Sequence, residues 1–130
     1  MEIVGLDSVL LAVGDLDVAR RFYGDQLRLP VRFELRDLGV AAFGLGQGRP
    51  ALVVQRREVA EHPPRETPRV WLEVPDARAA ASELWAAGVR SVGEPFEVQT
   101  GWTVEVADPW GNVIGLTDYV KRPDLGRFQR

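Results

Sequence analysis

The sequence predicts an α+β fold in which one βαβββ module occurs twice within a single domain. The order of strand-like and helix-like segments is the same in both halves, and the halves align without a gap at a shift of 61 residues. A charged stretch containing three prolines separates them. We therefore expect a first module at about residues 3–55, a linker at 56–68, a second module at about 69–118 and a tail at 119–130.

The first module begins with an apolar strand, Leu6 to Val13, and Asp15 is placed to cap the helix that follows. Apolar residues up to Leu27 recur at helical spacing. Three short apolar segments then predict the remaining strands: 31–35, 40–43 and 51–55.

The second module repeats this order. A strand over 70–74 precedes Asp76, a second helix cap, and a helix over 77–87 that ends at Gly88. The following segments predict three further strands: 91–98, 102–107 and 113–118.

Composition excludes several classes of function. The chain of 130 residues has a net charge of −3, which gives no reason to expect a nucleic-acid partner. It contains no cysteine, which excludes disulfides, thiol catalysis and cysteine-ligated metals. We find no signal peptide and no apolar run long enough to span a membrane, so we expect a cytoplasmic protein without a membrane partner.

Three segments resemble the vicinal oxygen chelate superfamily, which includes glyoxalase I, extradiol dioxygenases and bleomycin-resistance proteins. They are LDSVLLAVGDLDVARRFY at 6–23, RVWLEVPDARAAASEL at 69–84 and DPWGNVIGLTD at 108–118. The resemblance covers about residues 3–118. It implies two modules whose curved mixed sheets surround a cleft, with the helices packed outside. It does not fix an activity, because one fold serves several chemistries.

In metal-dependent relatives the first and last strands of each module supply the metal ligands. The resemblance carries these positions onto Ser8, Arg69 and Gly115, and onto Val54, or onto Gln55 if the short strand is phased by one residue. The 61-residue shift relates Ser8 to Arg69 and Val54 to Gly115. None of these four side chains is a strong ligand for a divalent metal, and the single histidine, His62, lies in the predicted linker. We therefore expect no metal and no other cofactor.

Gly115 stands in the middle of a strand, where glycine contributes no packing. Two interpretations remain open at this point. The position is either a vacated ligand site that leaves space for a bound molecule, or a bulge or close strand contact that requires glycine.

Strand alternation places Trp71 and Glu73 on the same face as Arg69, so all three face the expected cleft. Trp102 and Phe43 are further candidates for stacking on a ligand, although tryptophans on strands often belong to the core. Arg69 can bind an anionic or aromatic group of the ligand, or instead pair with Glu73.

The sequence thus predicts a metal-free protein of the bleomycin-resistance type that binds or sequesters a planar aromatic natural product or antibiotic. The expected ligand-binding residues are Ser8, Phe43, Val54, Arg69, Trp71, Glu73, Trp102 and Gly115. We expect a binding protein rather than an enzyme and assign no catalytic residue. The alternative is an isomerase, lyase or oxygenase that uses Glu73 or Glu105 as a general base. Exposed apolar candidates such as Trp85 and Phe128 predict a homodimer.

Overall fold

The computed structural model describes residues 1–2, 4, 6–48, 50–58 and 68–128. The chain divides into two compact units, which we call the N-terminal unit (Met1–Ala60) and the C-terminal unit (Glu61–Arg130). Each contains one four-stranded mixed sheet, and the α+β class with two βαβββ modules is confirmed. Most of the predicted linker, including His62, lies outside the described residues. Within the described residues, no helix reaches the length and hydrophobicity that crossing a bilayer requires.

The N-terminal unit begins with a strand and a helix and continues with three strands. Its sheet has the order β1-β4-β3-β2, with β1 parallel to β4 and the other neighbours antiparallel. Asp15 caps the helix as predicted, since its carboxylate accepts the backbone N–H of Val18 at 2.9 Å. The elements are β1 (Ser8–Val13), α1 (Leu16–Ala19), a π-helical continuation (Arg20–Gln26), β2 (Val31–Leu35), β3 (Val40–Gly44) and β4 (Ala51–Arg56).

The core of the N-terminal unit lies between the sheet and the helix. The rings of Tyr23 and Phe43 are in contact, with centroids 5.8 Å apart, and both side chains are fully buried. The predicted helix forms, but only its first turn is α-helical. Leu27 then donates its backbone N–H to the carbonyl of Phe22, five residues back, as in a π-helix.

The C-terminal unit has the same arrangement, with sheet order β5-β8-β7-β6 and only β5 and β8 parallel. The predicted strand over 91–98 is shorter than expected: Ser91 forms an isolated bridge with Val106, and the strand begins at Phe96. The elements are β5 (Val70–Glu73), α2 (Ala77–Ala86), β6 (Phe96–Val98), β7 (Gly101–Ala107) and β8 (Val113–Thr117).

A tight turn at residues 108–112 joins β7 to β8. One carboxylate oxygen of Asp108 accepts the backbone N–H groups of Trp110 and Asn112, at 2.9 and 2.8 Å. Gly111 adopts a φ of 86°, a conformation that side chains disfavour. The turn therefore fixes how β7 and β8 pair, and with it the residues that share a face of the sheet.

Asp118, which follows β8, joins the helix to the sheet. Its carboxylate is buried and accepts the backbone N–H of Ala77 at 2.7 Å and that of Trp102 at 2.8 Å. One oxygen thus binds the first residue of α2, and the other binds β7. A carboxylate near a helix N-terminus is also favoured by the helix dipole.

We predict that Asp118→Ala lowers the free energy of unfolding by about 3 kcal/mol, because it leaves the buried N–H of Ala77 and the partly buried N–H of Trp102 without an acceptor. Urea denaturation measures the change. Asp124→Ala is the matched control: Asp124 is exposed and pairs with neighbouring Arg122, so we expect a change below about 0.5 kcal/mol. Equal unfolding midpoints for the two variants would contradict the role of Asp118.

Candidate ligand-binding face of the C-terminal unit

Strand pairing places three residues that the sequence analysis named as candidates in one row across the sheet of the C-terminal unit. Trp71 on β5 lies directly opposite Gly115 on β8, and Gly115 lies opposite Glu105 on β7. Directly paired residues point to the same side of a sheet, as do residues two apart on one strand. Arg69, Trp71, Glu73, Glu105 and Gly115 therefore share one face, which we call the Trp71 face. Helix α2 packs on the opposite side.

Glu105 holds two neighbouring side chains of this face. One of its carboxylate oxygens accepts the Arg69 Nη1–H at 2.6 Å, and the other accepts the indole N–H of Trp71 at 3.1 Å. The Glu105 side chain is only 11% exposed, whereas that of Arg69 is 47% exposed. The alternative prediction of an Arg69–Glu73 pair is wrong, because the partner of Arg69 is Glu105 on another strand.

The indole of Trp71 fills the space above Gly115. A Cβ atom at position 115 would lie 2.6 Å from the indole nitrogen and closer still to Cδ1, distances that real contacts do not reach. The pairing of β8 with both neighbours is continuous through Gly115, so there is no bulge. Position 115 requires glycine because the indole of Trp71 lies directly over β8 at this residue. The interpretation of Gly115 as open space for a ligand is therefore wrong.

Trp71 and Phe96 together form an exposed aromatic surface. Their ring centroids are 6.3 Å apart, and the residues are 45% and 38% exposed. One edge of the indole is fixed by Glu105, while much of the ring remains accessible. This arrangement offers a flat molecule a stacking surface whose position is already set.

The C-terminal segment binds Glu73, the last residue of β5. The Glu73 carboxylate accepts the backbone N–H of Arg127, at 2.8 Å to the nearer oxygen, and that of Phe128 at 3.2 Å. In the same segment, Lys121 donates to Glu97 of β6 at 2.6 Å and holds the pKa of that carboxyl below its ordinary value. Glu73 thus anchors the chain end, which leaves it less available as a ligand contact or a general base.

Trp102 lies on the other face of the same sheet. It is one residue from Thr103, which shares the side of Glu105, so its ring points toward α2. There the guanidinium carbon of Arg78 lies 4.3 Å from the centre of the indole ring. The structure therefore does not bring Trp102 together with Trp71, contrary to the prediction that both stack on one ligand.

The other three predicted site residues lie in the N-terminal unit. Phe43 and Val54 are fully buried on the helix side of their sheet, so their assignment to a ligand-facing surface is wrong. Ser8 begins β1 and is partly exposed on the other side. Gln55, the alternative to Val54, shares that side with Ser8, since it pairs with Ala12.

Val54 was assigned to the wrong face because the two halves of the sequence were aligned without a gap. In the C-terminal unit Trp71 pairs with Gly115, whereas Leu10, 61 residues earlier, pairs with Val53. The counterpart of Gly115 is therefore Val53. Because strand side chains alternate, one residue of offset moves a side chain from one face to the other.

The residues of the Trp71 face do not fit a divalent metal. Arg69 is a cation, Glu105 already accepts two hydrogen bonds, and the indole fills the space where a ligand at position 115 would stand. Among the residues that the structure describes, no three histidine, aspartate or glutamate side chains are grouped so that they can hold a metal ion.

A surface depression of about 250 Å³ lies elsewhere, at the start of α1 in the N-terminal unit. Two of its polar side chains, Arg36 and Asp17, are paired with each other. It has no exposed aromatic ring. We therefore place the candidate site on the Trp71 face rather than in this depression, which is lined by Asp15, Leu16, Asp17, Arg36 and Arg56.

Sequence reasoning missed Phe96, and it considered Glu105 only as a general base of the enzymatic alternative. Glu105 stands between Val104 and Val106, a pattern that shows it on the non-core side of β7. That signal does not reveal its partners, which depend on the pairing of β7 with β8 and β5. Phe96 was included in a longer strand, and its contact with Trp71 had no sequence signal.

Comparisons with known proteins agree with this fold. The model of the glyoxalase/bleomycin resistance protein/dioxygenase superfamily matches residues 5–116. A comparison with curated protein sequences finds no match.

Solved structures of similar fold include proteins of different function. TnmS3, an antibiotic-binding protein from Streptomyces sp. CB03234, is 23% identical with a TM-score of 0.76, over 92% of this chain and 98% of that one. A glyoxalase/bleomycin resistance protein/dioxygenase from Nocardioides is 18% identical with a TM-score of 0.74, over 99% and 92%. Lactoylglutathione lyase from Agrobacterium tumefaciens is 21% identical with a TM-score of 0.65, over 91% and 96%. At these identities the likeness concerns the fold alone.

The close approach of Trp71 to Gly115 makes a prediction about stability. Gly115→Ala should lower the free energy of unfolding by about 1–3 kcal/mol, because the added methyl group displaces the indole from a packed position. Gly93→Ala is the matched control, since a Cβ there meets no atom within 4 Å.

The same substitution in a Trp71→Ala background completes a double-mutant cycle by urea denaturation. We expect Gly115→Ala to lower the free energy of unfolding much less in that background, since the indole that the methyl group would meet is absent. If Gly115→Ala lowers the free energy of unfolding by the same amount in both backgrounds, contact with the indole is not the reason that glycine stands at position 115.

Proposed function

Since the chain belongs to the glyoxalase/bleomycin resistance protein/dioxygenase superfamily, we propose that it binds a small planar aromatic molecule on the Trp71 face, without a metal ion. The observation that supports this proposal best is the indole of Trp71, which is exposed over much of its ring and fixed at its N–H by Glu105. An exposed aromatic ring held in place loses little entropy when a flat ligand stacks on it.

The similarity in fold to an antibiotic-binding protein supports the same class of function. Sequestration requires only binding, and the aromatic surface of Trp71 and Phe96 supplies contact area for it. Similarity in fold applies equally to the enzymatic alternative, since a lactoylglutathione lyase also has this fold. The contacts of the candidate general bases favour binding instead. Both glutamates considered as general bases already accept hydrogen bonds, Glu105 from side chains and Glu73 from the C-terminal backbone.

Binding is tested by a calorimetric screen of flat natural products such as anthraquinones, bithiazoles and quinoxalines. Stacking of about 1–3 kcal/mol per aromatic contact, added to other contacts, predicts micromolar dissociation constants. We expect Trp71→Ala to weaken a hit at least tenfold, about 1.4 kcal/mol. Trp85→Ala removes a more exposed tryptophan from α2 and should leave affinity unchanged.

The same preparation tests the metal-free part of the proposal. Elemental analysis should find no stoichiometric transition metal, and a chelator should not alter the affinity of a hit. Equal affinity of parent and Trp71→Ala would move the site elsewhere, and one bound metal per chain would contradict the metal-free assignment.

We also propose that the protein is a homodimer. The sheet face of the N-terminal unit that points away from α1 exposes a group of apolar side chains, an arrangement typical of an interface. Leu10 and Phe33 lie at the two ends of one row of this face, and Leu35 lies in the next row.

Sedimentation equilibrium at micromolar concentration should therefore give about twice the 14.4 kDa mass of the chain. Leu10→Asp should give the monomer mass, because the charge would be buried in the interface. Trp85→Asp, on α2, serves as the control and should remain dimeric. A parent protein of monomer mass would refute the proposal, and a dimeric Leu10→Asp variant would exclude this face.

A further inference from the structure

The guanidinium of Arg69 retains donors that no residue of the described chain uses. Its one hydrogen bond to a described residue, from Nη1 to Glu105, occupies one of five N–H groups. The side chain is 47% exposed on the same face as the indole of Trp71. A guanidinium can bind one carboxylate at one part of its planar fork and a second carboxylate at another.

Glu105 fixes this cation beside the aromatic ring. Each of its two oxygens accepts from one neighbour, so the guanidinium and the indole are held by the same carboxylate. Since Glu105 is largely shielded from solvent, this geometry is better maintained than that of an exposed ion pair. The face therefore presents a flat apolar surface and a set of cationic donors at a fixed separation.

Among the residues that the structure describes, no acidic group occupies those remaining donors. Glu73, the other carboxylate of this face on β5, is directed to the backbone N–H groups of Arg127 and Phe128. Glu105 is shared between two donors and balances only one positive charge. An anionic group brought by a ligand is the chemistry that matches what Arg69 still offers.

We propose that the ligand is a planar aromatic acid, whose ring stacks on Trp71 while its carboxylate binds the free donors of Arg69. This inference rests on the proposed function and adds the charge of the ligand to it. Glu105 is then a positioning residue, which sets the guanidinium and the indole but contacts no ligand atom.

A matched pair of probes tests the inference. Naphthalene-2-carboxylate and naphthalene-2-carboxamide have the same ring and nearly the same shape, and differ in charge at neutral pH. Calorimetry on the parent protein should show the acid binding at least tenfold more tightly than the amide. The difference should shrink as salt is raised from about 0.05 to 0.5 M, because an exposed ion pair is screened.

Variants test whether Arg69 causes the preference for the acid over the amide. Arg69→Gln should bring the acid-to-amide affinity ratio to about one, and Arg69→Lys should keep only part of it, because lysine lacks the planar fork. Arg122→Gln removes an exposed arginine that pairs with Asp124, and should leave the ratio unchanged. Far-UV circular dichroism confirms that each variant is folded.

The outcomes separate this inference from the proposed function. If acid and amide bind equally and both depend on Trp71, the anionic ligand is refuted and aromatic binding stands. If the acid preference survives in Arg69→Gln, the assignment to Arg69 is refuted. If neither probe binds at millimolar concentration and no flat compound binds in the wider screen, both proposals fail.

Discussion

The parallel pairing of β5 with β8 is the constraint on which the candidate site depends. It sets Trp71 directly opposite Gly115, and the antiparallel pairing of β8 with β7 sets Glu105 next in the same row. The indole can lie across β8 only because Gly115 has no side chain, and it then reaches the carboxylate of Glu105. A shift of one residue in either pairing would separate these three side chains.

The charged groups of the Trp71 face contact this row of residues or lie beside it. Glu105 is buried enough that an unpaired carboxylate there would be unfavourable, and Arg69 and Trp71 supply the donors that satisfy it. Glu73 is satisfied differently, by backbone N–H groups from the end of the chain. The two glutamates therefore have different roles. Glu105 orients the side chains of Arg69 and Trp71, and Glu73 anchors the segment after β8.

Alternation within single strands could be predicted from the sequence, and it placed Arg69, Trp71 and Glu73 together correctly. The fold class also followed from local patterns, because strand and helix periodicities and the caps at Asp15 and Asp76 agree with one another. Pairing between strands could not be predicted to the residue. Val54 was assigned to the wrong face because the two halves differ by one residue in how their first and last strands pair. The partners of Glu105 come from two other strands, and no local pattern encodes such contacts.

The fit between Trp71 and Gly115 also limits how this surface can change over evolutionary time. Any side chain at position 115 meets the indole, so a metal-ligating carboxylate there is compatible only with a smaller residue at 71. The two positions are therefore epistatic. A lineage that acquires a metal-ligating side chain at 115 must replace the tryptophan beforehand, and in doing so it gives up the aromatic surface. Stacking and metal coordination are mutually exclusive states of this one strand pair, and sequence families should show positions 71 and 115 varying together.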